Sequence, residues 1–152
     1  MKLAEALIER AGLNQRYHEL RRRLLGNVLV QEGLEPTEEP EELMAELIAS
    51  IDTRREFINR INRTNVVTRL PDGTTLADAI TKRDAVGFQR GVYKDVADAA
   101  TPKQDRYSKT EIRFIGIVNV VAYQKLVDRL SREHRELDTI IQGLNWTTDL
   151  VE

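Results

Sequence analysis

NRINRTNVVTRLPDGTT, residues 59–75, separates two long runs of helical periodicity with arginines, asparagines, threonines and a Pro71-Asp72-Gly73 turn. Upstream of it, Leu43, Leu47, Ile51, Ile58 and Ile61 recur at coiled-coil-like intervals, and Met44, Ile48 and Phe57 widen the stripe, which predicts a long helix. Around Asn62 to Asn65 that pattern fails. Val66, Val67, Leu70 and the Pro-Asp-Gly turn then predict a brief extended hairpin or an irregular loop. Thr75 followed by Asp78 resembles a capping box with Asp where Glu or Gln is usual, and opens a third helix through about Ala100. Its predicted face is Leu76, Ile80, Val86, Tyr93, Val96 and Ala100, and Gly87 and Gly91 lie one turn apart, where they allow another backbone to come close.

Further from this stretch, residues 2 to about 31 place Leu3, Leu7, Leu13, Tyr17, Leu20, Leu24 and Val28 on one stripe, with Gly33 as the stop. The link to the next helix holds Pro36 and Pro40, and seven glutamates fall between Glu32 and Glu46 without a Lys or Arg among them. Thr37 or Glu38 leads into the second helix, with Pro40 in its first turn and the glutamates at the positive end of its dipole. So short a link predicts antiparallel packing of the first two helices. Thr101-Pro102 closes the third helix, and a polar loop leads to IRFIGIVNVVAYQ, an apolar β-rich run that reads as a strand in need of a partner. The last helix runs from roughly Asn119 to Leu144 on Tyr123, Leu126, Leu130, Leu137, Ile140 and Leu144, and Trp146 to Glu152 is a tail.

The expected fold is therefore mainly α. It is a single helical domain over 1–152, with four principal helices in antiparallel hairpins forming a coiled-coil-like bundle and a small β or extended element near 66–75 and 111–118. Composition agrees with long exposed helices: 41% of the 152 residues are hydrophobic, 32% are charged and only 5% are aromatic, which excludes a large aromatic-lined pocket. There is no cysteine, which excludes disulfides, thiolate catalysis and zinc-thiolate sites. The charged positions along MKLAEALIERAGL make the N-terminus an amphipathic helix and not a signal peptide, and no apolar run reaches bilayer length, so the expected location is the cytoplasm.

Charge is uneven along the chain. Residues 1–53 carry six basic and eleven acidic groups, residues 54–113 thirteen and eight, and residues 114–152 four and six. The basic middle could steer an anion, although pairing within the fold uses the same asymmetry. Candidate ligand-binding residues concentrate there: Arg60, Asn62, Arg63, Thr64, Asn65, Arg69, Asp72 and Thr74, joined from the later loop by Lys103, Arg106, Tyr107 and Lys109. Arginine forks and amides direct hydrogen bonds at phosphate, carboxylate or base edges, and the same groups cap helix ends and turns.

Elsewhere the chemistry is sparse. Arg21, Arg22 and Arg23 point about 100° apart on a helix and make no single patch. His18 and His134 sit at mid-helix beside Glu19 and Glu133, a spacing more general to helix surfaces than to metal sites. Ser50, Ser108 and Ser131 lie in no nucleophile elbow, and there is no phosphate-cradling glycine loop. No catalytic residue, cofactor or metal is expected.

The strings INRTN (61–65), TRLPDGTTLADAI (68–80), KQDRYSKTEI (103–112) and NWTTDL (145–150) together resemble a bacterial family of uncharacterised proteins labelled septicolysin, over the whole chain. The resemblance implies a cytolysin and carries no catalytic residue; an alternating amphipathic hairpin of the kind that forms β-pores is not evident in the sequence. The residues themselves favour a non-enzymatic, self-assembling interaction or scaffold protein, a homo-oligomer whose seams are completed by other copies. The alternative is an anion or nucleic-acid binder that uses the Arg/Asn/Thr-rich central loops.

Overall fold

The computed structural model describes residues 1–103 and 112–152. Among these residues are four helices: α1 Leu3–Gly26, α2 Pro40–Val67, α3 Leu76–Ala100 and α4 Val120–Thr147. The chain divides into two compact units, one built from Met1–Arg69 and Gln142–Glu152, the other from Leu70–Ile141.

In the first unit α1 and α2 pack antiparallel, as the ion pairs Arg16–Glu46 and Arg23–Glu38 show by running in opposite directions along the two helices. The seam is leucine. Leu20 and Leu24 meet Leu43 and Leu47, with Tyr17 packed against them; at about 1.5–3 kcal/mol per fully buried leucine, these four side chains dominate the local stability.

α1 ends seven residues before the predicted stop at Gly33, because Asn27 intercepts the helix. Its amide donates to the Leu24 carbonyl at 3.0 Å and its side-chain Nδ2 to the Arg23 carbonyl at 2.9 Å, while its Oδ1 accepts from the Glu38 amide at 3.0 Å. One amide side chain thus fixes both the exit from α1 and the approach to α2, satisfying groups that helix ends leave unpaired. Gly33, at φ +87°, serves the link instead: the Leu34 amide donates to the Gln31 carbonyl at 3.0 Å, a turn whose third position requires positive φ. Pro40 occupies the first turn of α2 as expected.

α2 does not break at Asn62–Asn65 but continues to Val67. The apolar pattern is lost there because the buried position after Ile61 is taken by a polar residue, Thr64, which is fully buried.

In the second unit, Leu70 to Thr74 forms a tight turn within the element expected near 66–75, of which Val66 and Val67 belong instead to α2. The Gly73 amide donates to the Leu70 carbonyl and the Leu70 amide to the Thr74 carbonyl, both at 2.9 Å, with Gly73 at φ +86°. Thr75 caps α3, its hydroxyl accepting from the Asp78 amide at 3.0 Å and donating to the Asp78 carboxylate at 2.6 Å. α3 and α4 run antiparallel: Arg83 donates to Asp138 at 2.9 Å, Lys82 lies 3.3 Å from Glu133, and Tyr93 meets Tyr123 edge to face at 5.2 Å. Gly87 faces the His134 ring, whereas Gly91 faces open space, so only one of the two glycines lies at a contact.

The strand reading of 111–118 is corrected. Residues 112–117 have no regular secondary structure, and Asn119 then caps α4 by accepting from the Ala122 amide at 3.0 Å. Ile112, Phe114, Ile115 and Ile117 are all exposed, and among the described residues no strand pairs with this run, which β structure would require.

Candidate functional site

The end of α2 carries Arg60, Arg63 and Thr64 at i, i+3 and i+4, which places them on one side of the helix. An extended segment of the C-terminal tail lies against that side. Arg60 Nε donates to the Val151 carbonyl at 3.2 Å, Arg63 to the Glu152 carbonyl at 3.1 Å, and the Val151 amide donates to the Thr64 hydroxyl at 3.0 Å. That hydroxyl donates in turn to the Arg60 carbonyl at 2.8 Å, so both of its capacities are used in a position without access to water.

The same tail pairs with the start of the chain. The Leu3 amide donates to the Thr148 carbonyl at 3.0 Å and the Leu150 amide to the Met1 carbonyl at 2.9 Å, leaving Lys2 opposite Asp149 in a single antiparallel bridge. Lys2 Nζ reaches Asp149 at 2.8 Å and the Thr147 carbonyl at 3.1 Å. The Lys2 ammonium holds the Asp149 carboxyl below the usual carboxylate range, by hydrogen bond first and charge second. Leu3, Ile61, Thr64 and Leu150 are all buried at this end of the unit.

These arginines therefore grip carbonyl oxygens, an interaction that reads an extended backbone and not its side chains. Of the other candidates, Asn62 and Arg69 are exposed and Asn65 is half-buried on or just after α2. Asp72 and Thr74 belong to the second unit, where they serve the turn: the Thr74 hydroxyl and amide donate to Asp72 Oδ1 at 2.6 and 3.0 Å and hold its carboxyl below the usual range. Asp72, Thr74, Asp78 and Lys82 also line a cavity of about 120 Å³ with Leu70, Ala79 and Leu137. Lys103 is exposed beside a cleft lined by Asp98, Ala99, Thr101, Pro102 and Phe114, and Arg106, Tyr107 and Lys109 lie outside the described residues. The predicted set is thus shared between two units, and Arg60, Arg63 and Thr64 converge on one object, the C-terminal segment.

Three features lie outside the predicted set. Lys2 and Asp149 pair through a bridge too short to leave any alternation in sequence. Asn27 works through side-chain geometry that its neighbours do not announce. Ser50 Oγ and Arg54 Nε, one turn apart on α2, are buried without a hydrogen-bond partner among the described residues, and neither residue type signals burial in so charged a chain. Among the described residues no group of three or more His, Asp or Glu side chains could hold a metal; His18 is exposed, edge-on to Tyr17 at 5.0 Å, and His134 lies over Gly87. No helix among them is long and apolar enough to cross a membrane.

With this geometry established, comparison with known proteins settles the family. No curated protein matches the chain. A crystal structure described as a functionally unknown conserved protein from Corynebacterium diphtheriae is similar to it at 44% identity and a TM-score of 0.94, over 99% of each chain. The resemblance to septicolysin is overturned: the family model that matches residues 10–150 is a different one and carries no cytolytic label. The chain belongs to DUF6847, a family of unknown function.

Proposed function

We propose that this protein is a non-enzymatic helical scaffold that self-associates through apolar helix faces. The observation that carries this reading is the number of large apolar side chains on regular helices that face solvent: Met44, Ile48 and Ile51 along α2, and Phe88, Val92 and Val96 along α3. Single exposed apolar residues need no explanation, but rows at three- and four-residue spacing form contiguous surface that a lone chain leaves in water.

Arg60 Nε and one amino group of Arg63 are engaged by main-chain oxygens of the tail, which leaves fewer of their donors for the anion-binding alternative. Sedimentation velocity over a hundredfold range of concentration tests the reading. The expected result is a discrete species of at least two copies that dissociates on dilution, with a melting temperature that rises with concentration. A monomer throughout, with a melting temperature independent of concentration, overturns it.

A further inference from the structure

We propose that the outer stripe of α3, Phe88, Val92 and Val96, together with the segment 112–117, is a single docking surface whose occupant is the same surface of a second copy of this chain. This rests on the self-association reading and names the face that performs it.

α3 is apolar on two opposite sides. Leu76, Ala79, Val86 and Ala97 are buried on one. Rotated roughly half a turn away on the 100° helical period, Ala85, Phe88, Val92, Val96 and Ala99 form the other, with Phe88 78% and Val92 62% exposed. A surface helix ordinarily presents charge on that side.

The row runs on into the irregular segment, because Ala99 and Phe114 line one cleft. Gly116 seats the segment against the end of α3, where a Cβ would collide with the Ala100 carbonyl oxygen. The side chains around that anchor point outward: Ile112 is 75% exposed, Phe114 82%, Ile115 76% and Ile117 93%.

Area and charge select the occupant. Two phenylalanines and five aliphatic side chains exposed to this degree offer roughly 700 Å² of apolar surface, near the ~800 Å² that each partner contributes to a standard interface. Of the acids flanking the stripe, Asp84 pairs with Arg83 at 2.9 Å and Asp98 with Lys94 at 2.8 Å on their own helix, which reduces the repulsion between identical faces, while Asp95 has no ion pair among the described residues. A two-fold pairing requires a self-complementary patch, and this one holds both a helical ridge and an irregular apolar segment beside it.

The test is sedimentation equilibrium of the full chain and three exposed-site variants, Phe88→Asp, Ile115→Asp and, on the α2 row of the other unit, Ile48→Asp, each checked for unchanged helical circular dichroism. The expected result is that Phe88→Asp and Ile115→Asp each weaken association at least 100-fold while Ile48→Asp leaves it within about threefold. Association that survives both α3-face variants and is lost in Ile48→Asp overturns this surface while leaving the self-association reading intact. A wild-type chain that is monomeric at every concentration overturns both. A wild-type monomer that instead cosediments with phosphatidylglycerol vesicles assigns the face to a membrane and overturns the proposal.

Discussion

The Val151 amide donates to the hydroxyl of Thr64, and that hydroxyl donates onward to the carbonyl of Arg60, so one fully buried side chain couples the C-terminal segment to the last turns of α2. Each partner supplies what the other lacks. Thr64 gives a buried hydroxyl two bonds, and the tail gains a fixed register against the helix.

Thr64→Val keeps the shape and removes the hydroxyl. The expected loss is about 1–2 kcal/mol, with a lower urea midpoint and an unchanged m value, and Thr64→Ser should recover most of it. Hydrogen exchange at the Val151 amide should accelerate in the valine variant alone, which separates loss of the tail contact from general softening.

Gly87 and Gly33 should respond in opposite directions to alanine. At Gly87 a Cβ would meet the His134 ring at 3.5 Å, an ordinary contact, so Gly87→Ala should stabilise by about 0.5–1 kcal/mol through helix propensity and reduced unfolded-state freedom. At Gly33 the backbone lies at φ +87°, so Gly33→Ala should destabilise by about 1–2 kcal/mol although nothing obstructs the side chain. Paired urea melts read both signs directly.

Stability should fall in acid. The Glu38 carboxyl is held below its ordinary value mainly by its hydrogen bond to Arg23, Asp72 by Thr74, and Asp149 by Lys2. A carboxyl whose folded pKa is depressed contributes stability above its unfolded pKa and loses that contribution as pH falls through the folded value. The decline should therefore begin near pH 4.5 and continue below pH 4. Because Asp72 and Asp149 are solvent-exposed and Glu38 is half-buried, the slope should be shallow and should flatten further in Glu38→Gln.

The four helices, the Pro-Asp-Gly turn and the Thr75 cap were legible because each is written locally: apolar side chains at three- and four-residue intervals, a glycine where φ must be positive, a hydroxyl three residues before an acid. The candidate site was legible as residue types and not as an arrangement. Arg60, Arg63 and Thr64 stand out in the sequence as groups that bind something, yet what they bind is the backbone of Val151 and Glu152, about ninety residues away, and backbone carries no sequence signal.

For this protein the sequence determined local geometry, since helix periodicity, caps and turns depend on groups within four or five residues of one another. Tertiary structure decided the rest. It extended α2 through Asn62–Asn65 because a tail distant in sequence satisfies Thr64, and it ended α1 at Gly26 because Asn27 found a partner in Glu38. It also left 112–117 without regular secondary structure. A polar side chain's place in the interior depends on its hydrogen-bond partner, and only the folded chain brings the two together.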